Sequence, residues 1–470
     1  MDVVGRAKTT ARSSSTSSAR DRDRALERAR CRRRRRSSAA ATTVESVELL
    51  DGVVDERTRT TETTETTTME RVKSRRSTLA MFSAMVPIAM ATEAMAATDG
   101  ASALDAERAF EQTFPTLFRP FLGEGYRETR KREIVPNVLW ALEQNIELGP
   151  LETVIRCVVI RLRDGTLWVH APLAPTEEFF KMVESCGEGG ASAVAHVVVP
   201  TYALEHKIYT KDALKRWKSA TLATAPGQFT FPFRDVSDGV VFGKRVDYVL
   251  EGNDLTSSAP WKDEIEFETL RAGAFDVGAN SQIIYETAFF HKASKTLVVT
   301  DALAQIPIEP PESNSVDKLL VVSQRSTADS VPEDTREARQ IGWEKTALLV
   351  NYFFPEHEEL DPSHPGVVIW TDGWHENFQA LAGRLLVPPV VRTLLYAQDP
   401  SSVKDWVRRV AVRWDPERVV PAHWEAPVAI DRERFERCFA FLDDESIDAF
   451  NPRDLERGLT PVANAALKRK

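Results

Sequence analysis

The chain has 470 residues, of which 42% are hydrophobic and 28% charged, and its formal net charge is −9. This length suits one large domain or two ordinary ones, and the composition is that of a globular protein with a core. The composition excludes collagen-like and coiled-coil proteins. A multi-span membrane protein is excluded because no stretch reaches the roughly 18 apolar residues that a transmembrane helix needs.

The charge is divided unevenly along the chain. Residues 1–96 carry 19 lysines and arginines against 13 acidic residues, whereas the remaining residues carry 42 against 57. An acidic body repels a phosphate backbone, so nucleic acid is not an expected partner.

Residues 1–96 are typical of a targeting leader. The first 40 residues hold 13 basic and only four acidic side chains, as organelle transit peptides do. Next, Arg75-Arg76 precedes a moderately apolar run at 80–91 and an A-x-A cleavage site at 94–96. This order resembles the bipartite leader of thylakoid lumen proteins. We therefore expect a disordered leader that is cleaved after Ala96 and sends residues 97–470 to the lumen by the twin-arginine route. The alternative is an interfacial helix that stays attached.

The first half of the body alternates strands with helices, which indicates a layered α/β fold. A two-residue hairpin signal, Asp164-Gly165, joins the first two predicted strands. In chain order the predicted elements are a strand at 154–162, a strand at 167–170, a helix from 176 to 185, a buried strand at 193–199, a helix at 211–217 and a strand at 220–225.

A second unit, rich in strands, begins near Glu264. A strand is predicted at 265–270, and a hairpin joins 283–290 to 296–300 through the turn 292–295. Residues 308–340, rich in Pro, Ser, Asp and Glu, are predicted to be a mobile excursion, and 341–400 a mainly helical insertion. A helix, a short strand at 418–421 and a second apolar helix close the chain.

Two features of the 341–400 region allow a second interpretation. Trp343, Trp370 and Trp374 are predicted core residues, but they would also suit a docking face. The apolar stretch 378–395 is most simply a buried helix pair, and the alternative is attachment to the thylakoid surface.

Several histidines and carboxylates are predicted to meet at one edge of the fold. His170, His206 and His423 follow the ends of strands, where open α/β folds form their ligand sites. With a turn at 292–295, His291 pairs with Thr296, and Glu286 reaches the level of Asp301 at the same end. The candidate constellation is therefore His170, Glu205, His206, Glu286, Asp301 and His423, a plausible ligand set for zinc, manganese or iron. For the histidines, the alternative interpretation is a loop residue bonded to the backbone. For Glu205 and Glu286 it is a structural partner that orients a histidine.

Six segments carry a resemblance to a known family: 167–172, 198–207, 225–228, 286–292, 295–302 and 420–423. The match spans roughly 115–445. The body resembles the metallo-β-lactamase superfamily and, more closely, the plant and cyanobacterial family catalogued as domain of unknown function 4336. The resemblance implies an α/β fold of the metallo-β-lactamase type, an αββα sandwich, here with an extra helical region.

The resemblance also implies which residues hold metal. In the superfamily an H-x-H-x-D-H loop follows one strand, and a later His, an Asp after a hairpin strand and a final His complete the site. Here 201–207 occupies the loop, Asp301 the Asp position and His423 the final His position, while His170 stands where a structural Asp is usual.

The departures from that pattern reduce the implied site. Tyr202 and Leu204 replace the first two loop histidines, Glu205-His206 matches the D-H pair only after a shift of one residue, and 277–282 holds no histidine. The implied site is one metal on His206, Asp301 and His423, with an oxygen added by Glu286 or Glu205. His170 is a further candidate ligand.

Two functions remain open from the sequence. One is a protein with a degenerate metal site, without ordinary two-metal hydrolase activity, that binds a small molecule or a lumenal protein. The alternative is a one-metal hydrolase for a small ester or related substrate, with Glu286 or Glu205 as general base. The predicted cofactor is one zinc, manganese or iron ion, or none.

Overall fold

The structure is a computed structural model that describes residues 103–111, 125–228, 236–277 and 280–466. The predicted leader, with its twin arginines and its cleavage site, lies outside the described residues. Among the described residues, no helix combines the length and apolar character that crossing a membrane requires.

The first sheet has seven strands in chain order, β1 to β7. The first four strands pair antiparallel, and β4 to β7 pair parallel, so the carboxyl ends of β4, β5 and β6 share one edge. The strands are β1 Arg130–Val135, β2 Leu139–Leu148, β3 Leu151–Arg161, β4 Leu167–His170, β5 Val194–Val199, β6 Thr221–Thr224 and β7 Tyr248–Val249.

The second sheet has five strands in the order β16-β15-β10-β9-β8. The predicted hairpin register is confirmed, because His291 pairs with Thr296. Strand β15 then runs parallel to β10, which places the ends of both at one edge. The strands are β8 Ile265–Val277, β9 Asn280–His291, β10 Thr296–Val298, β15 Arg418–Val420 and β16 Val428–Ala429.

The two sheets face each other across a shared apolar core. Val158, Trp168 and Val198 of the first sheet pack with Phe289 and Val298 of the second. Both faces of β3 are buried, which explains why it reads as a continuous apolar run rather than an alternating one.

Helices cover the outer face of each sheet. On the first sheet these are α2 Glu177–Glu184 and α3 Thr210–Arg216, and α2 begins at the predicted cap, where Thr176 accepts a hydrogen bond from the Phe179 amide. On the second sheet they are α9 Pro400–Arg413 and α10 Arg432–Arg437. The layer order is αββα, so the fold predicted from the resemblance is confirmed. Besides these four helices, the part of the chain before β8 contains two short ones, α1 Ala103–Arg108 and α4 Asp238–Val241.

A third core lies in the region after β10. Trp343 is fully buried, and Trp370 is nearly so, which confirms the prediction that these two are core residues. Trp374 is half-buried and packs against the same cluster. Phe378 and Leu394 are buried too, in agreement with a helix pair. The elements are β11 Ala304–Gln305, α5 Val316–Ser323, α6 Arg336–Tyr352, β12 Glu358–Leu360, β13 Val368–Trp370, α7 Trp374–Leu381, β14 Leu385–Leu386, α8 Pro389–Leu394, α11 Pro452–Asp454 and α12 Thr460–Ala466.

The sequence prediction for 308–340 misses helix α5. Leu319 and Leu320 of this helix are buried, and the side chains of Lys318 and Asn314 bond to Glu152 of β3. The composition of the whole segment obscures this helix, because its apolar run is only a few residues long. The insertion predicted as mainly helical also contains the short strands β12, β13 and β14.

Candidate metal centre

Three chain segments meet where the parallel strands end. A short 3-10 turn, Leu204–His206, follows β5, while Asp301 follows β10 and His423 follows β15. Backbone bonds join these ends: the Ala422 amide donates to the Thr300 carbonyl at 3.3 Å. The topology therefore gathers residues that lie far apart in sequence.

His206 and His423 approach the same carboxylate oxygen. The Nε2 atoms of the two imidazoles lie 3.5 Å and 3.4 Å from Oδ1 of Asp301, and the ring centroids are 5.1 Å apart. Glu205 completes the group, since one ligand atom each from Glu205, His206 and His423 lie within 4.8 Å of one another. Four of the six predicted site residues are thus brought together.

The orientation of His423 suits a metal ligand. Its Nδ1 lies 2.8 Å from the carbonyl oxygen of Val154, which can only accept, so Nδ1 carries the proton. Nε2 is the ring atom directed toward Asp301, and it is the one available to a metal ion. A histidine ligand is commonly fixed in this way by a hydrogen bond from its other ring nitrogen.

His206 is fully buried, and neither ring nitrogen has a hydrogen-bond partner among the described residues. Its 3.5 Å contact with Asp301 satisfies ion-pair geometry but not hydrogen-bond geometry. A buried polar atom without a partner carries a desolvation cost. A cation bound to Nε2 removes part of that cost, so the residues present fit a metal ion.

The electrostatics keep Asp301 ionised. Burial opposes its charge, but His206 and His423 outweigh burial and hold the pKa of Asp301 far below its ordinary value. Burial likewise opposes a charge on His206, yet the Asp301 carboxylate raises the net pKa of that imidazole. Asp301 thus offers an ionised carboxylate oxygen between the two imidazoles.

Glu286 supports the loop that carries Asp301. Its Oε1 accepts hydrogen bonds from the Thr300 hydroxyl and from the amides of Asp301 and Ala302, and Tyr396 donates to its Oε2 at 3.4 Å. Burial, with the nearby Asp301 charge, raises the pKa of Glu286 to about 7. Its role as a general base stays a prediction.

His170 lies outside this group. It is stacked on Trp168 at 5.7 Å and meets the edge of Phe289 at 5.5 Å. Burial lowers the pKa of His170 to about 3, and the charge of His206 adds to the effect. The structure places it among aromatic core residues, and its role as a ligand stays a prediction.

The residues that replace the two loop histidines pack against apolar side chains. Leu204 packs against Ala174 and Tyr209. Tyr202 packs against the core of the second sheet but stays near the site, since burial and the charge of Glu205 raise its pKa. Both side chains therefore contribute to apolar packing.

Sequence reasoning missed two buried basic side chains close to the site. Lys207 is 4% exposed and donates to Oε1 of Gln228 at 3.2 Å, and burial lowers its pKa to about 7. Arg156 lies in β3 and contacts the His423 loop. The sequence did offer one sign that Arg156 is buried and paired: it is the single charged residue in the otherwise apolar run 154–160.

Comparison with solved structures finds proteins of low sequence identity. A metallo-β-lactamase from Pontibacter korlensis shares 8% identity at a TM-score of 0.31, over 67% of this chain and 100% of its own. A metallo-β-lactamase from Hirschia baltica shares 10% identity at a TM-score of 0.31, over 67% of this chain and 97% of its own. The Flv1 flavodiiron core from Synechocystis sp. PCC6803 shares 9% identity at a TM-score of 0.36, over 67% of this chain and 61% of its own.

No curated protein matches the sequence. A family model does match, over residues 136–441, which is more than half of the chain. The chain therefore belongs to the family described as Domain of unknown function (DUF4336).

Proposed function

We propose that the protein binds one divalent transition-metal ion between Glu205, His206, Asp301 and His423, and that it lacks ordinary two-metal hydrolase activity. One observation carries the proposal: the Nε2 atoms of both histidines face the same Asp301 oxygen, at 3.5 Å and 3.4 Å. Imidazole and carboxylate donors together suit zinc, manganese or iron.

The packing of Tyr202 and Leu204 supports one ion rather than two. Both stand where the resemblance expects histidine ligands, and both contribute to apolar clusters. Among the described residues, one group, Glu205, His206 and His423, has ligand atoms close enough to share a metal ion, and Asp301 adjoins it through both histidines.

A divalent ion in this place supplies Lewis acidity toward an oxygen atom of a ligand. Residues of the chain hold the ligands in place. Val154 fixes the tautomer of His423, Glu286 fixes the Asp301 loop, and the ionised Asp301 offsets the charge of a cation.

Metal content tests the proposal directly. The full chain, an Asp301→Ala/His423→Ala double variant and a His364→Ala control would be purified, and bound metal measured by plasma mass spectrometry. His364 suits the control because its side chain is 73% exposed and pairs with Asp361. We expect about one equivalent in the wild type and control and none in the double variant. Absence of metal from all three, with stability unchanged by added Zn²⁺, would reject the proposal.

A one-metal hydrolase is the second candidate, favoured by access to solvent. The side chains of Asp301 and His423 are 23% and 16% exposed, so a small substrate has a route to the group. In this candidate His206, Asp301 and His423 hold the ion, and Glu205, which is half-buried, is the general base instead of a ligand. The test is hydrolysis of esters, lactams and phosphodiesters by the metal-loaded wild type and by Glu205→Gln, with a loss of about 100-fold or more expected.

We also propose that the protein acts in the thylakoid lumen, on a small molecule or with a lumenal protein. The basic, acid-poor first 40 residues and the Arg75-Arg76 signal support this location.

A further inference from the structure

A buried arginine holds the loop on both sides of His423. Arg156 of β3 is 1% exposed. Its Nη1 donates to the carbonyl oxygen of Pro421, and its Nη2 donates to that of Trp424 at 2.7 Å. The guanidinium therefore spans the two backbone positions that flank Ala422 and His423.

The same strand also holds the imidazole. Val154, two residues before Arg156, accepts the hydrogen bond from His423 Nδ1 at 2.8 Å. Strand β3 therefore acts on one loop through the Val154 carbonyl and through the Arg156 side chain. The loop and the ring are both fixed from this strand.

The guanidinium is itself held in place. Glu143 of β2 accepts from Arg156 Nε at 2.8 Å and from Arg132 Nη2 at 2.7 Å. Trp424 has a φ of 63°, a left-handed conformation that a non-glycine residue keeps only when its surroundings impose it. The bond from Arg156 to the Trp424 carbonyl supplies part of that constraint.

We propose that Arg156 is a positioning residue that keeps Nε2 of His423 directed at Asp301. The inference rests on the proposed metal site and adds how that site is held. A lysine keeps the charge beside Glu143, but one ammonium cannot reproduce the planar fork that reaches both carbonyls.

The test compares Arg156→Lys with Arg413→Lys in the full chain. Arg413 is a matched control, because it is also a poorly exposed arginine between carboxylates, Asp254 and Glu268, away from the His423 loop. Cobalt(II) titration followed by visible absorption measures affinity and ligand geometry. Nitrogen-15 histidine spectra, with His423→Ala to assign the signal, report the His423 tautomer without any metal.

We expect Arg156→Lys to weaken cobalt binding about 10- to 100-fold, to alter the absorption bands and to convert His423 from one tautomer to a mixture. Arg413→Lys leaves all three unchanged. Wild-type affinity together with an unchanged tautomer in Arg156→Lys would overturn the inference.

Two further outcomes remain decisive. If the wild type binds no cobalt, the proposed function fails, and the tautomer alone decides whether Arg156 positions His423. If Arg156→Lys does not fold, Glu143→Gln releases the guanidinium without removing it. Weaker cobalt binding and a mixed tautomer then support the inference, and wild-type values overturn it.

Discussion

Glu286 holds Asp301 by its backbone: the carboxylate Oε1 accepts a hydrogen bond from the Asp301 amide at 3.0 Å. The same oxygen accepts from the Ala302 amide at 2.8 Å and from the Thr300 hydroxyl at 2.9 Å. Three donors of one loop thus converge on one buried oxygen, and the direction of the Asp301 side chain depends on a residue of the neighbouring strand.

We expect Glu286→Ala to lower the free energy of unfolding by about 1–3 kcal/mol, because it leaves buried donors without an acceptor. Guanidinium denaturation measures the change. Glu309→Ala serves as control, since that side chain is 63% exposed and its pairing with Arg336 is at the surface. Equal stability of Glu286→Ala and wild type would contradict the role of Glu286 as a support.

The close packing of α5 on α6 depends on a glycine. A Cβ atom added at Gly342 would lie 2.0 Å from the carbonyl oxygen of Leu319, so the two helices would have to separate. We expect Gly342→Ala to destabilise the protein by about 1–3 kcal/mol, although alanine favours an isolated helix. Gly239→Ala is the control, because nothing lies within 4 Å of its added Cβ. A thermal melt of both variants checks this, and a Gly342→Ala melt at or above wild type would refute it.

Lys345 gives the protein a dependence on alkaline pH. Burial, with the nearby charge of Arg325, lowers the pKa of Lys345 to about 8, and its ammonium donates to the carbonyls of Ser323 and Gln324. Folding disfavours the charged form of Lys345. The neutral side chain therefore contributes stability that is fully present above the unfolded pKa of 10.5 and is lost as the pH falls through about 8.

We therefore expect wild-type stability to rise relative to Lys345→Met between pH 8 and 10.5, by about 1–3 kcal/mol. Denaturation at several pH values across this window measures the difference between the two proteins. Lys215→Met is the control, because its side chain is 61% exposed. Parallel stability curves for wild type and Lys345→Met would show that the ammonium is not destabilised by burial.

The leader prediction has its own test. Import of the full chain into isolated chloroplasts should give a lumenal product that begins after Ala96, and a change of Arg75-Arg76 to two lysines should leave the protein in the stroma. The matched control converts Arg57 and Arg59, outside the twin-arginine pair, to lysine. Lumenal delivery of the Arg75-Arg76 variant would remove the basis for the twin-arginine route.

The sequence predicts what local pattern and strand order determine. The turn at 292–295 gives the register that pairs His291 with Thr296 and brings Glu286 level with Asp301. Strand ends identify His206 and His423 because parallel pairing places such ends at one edge. His170 shows the limit of this argument, because it also ends a strand but is packed between Trp168 and Phe289.

Contacts between distant segments could not be predicted in the same way. Arg156 meets the Trp424 carbonyl 268 residues along the chain, and no local periodicity encodes that distance. Helix α5 is short, and the bonds to Glu152 from its Lys318 and from Asn314 just before it span more than 160 residues. The conformations of Arg156 and of helix α5 therefore depend on contacts with distant residues and not on the local sequence.

The hydrogen bond between His423 and Val154 joins residues that are 269 positions apart. Closing such a loop costs chain entropy before any contact compensates for it, so we expect this pairing to form late in folding. His206 follows a strand of the first sheet and Asp301 a strand of the second, so the ligand group forms only when the two sheets have docked. Metal uptake during refolding would therefore report sheet docking, and it would occur after either sheet alone had formed.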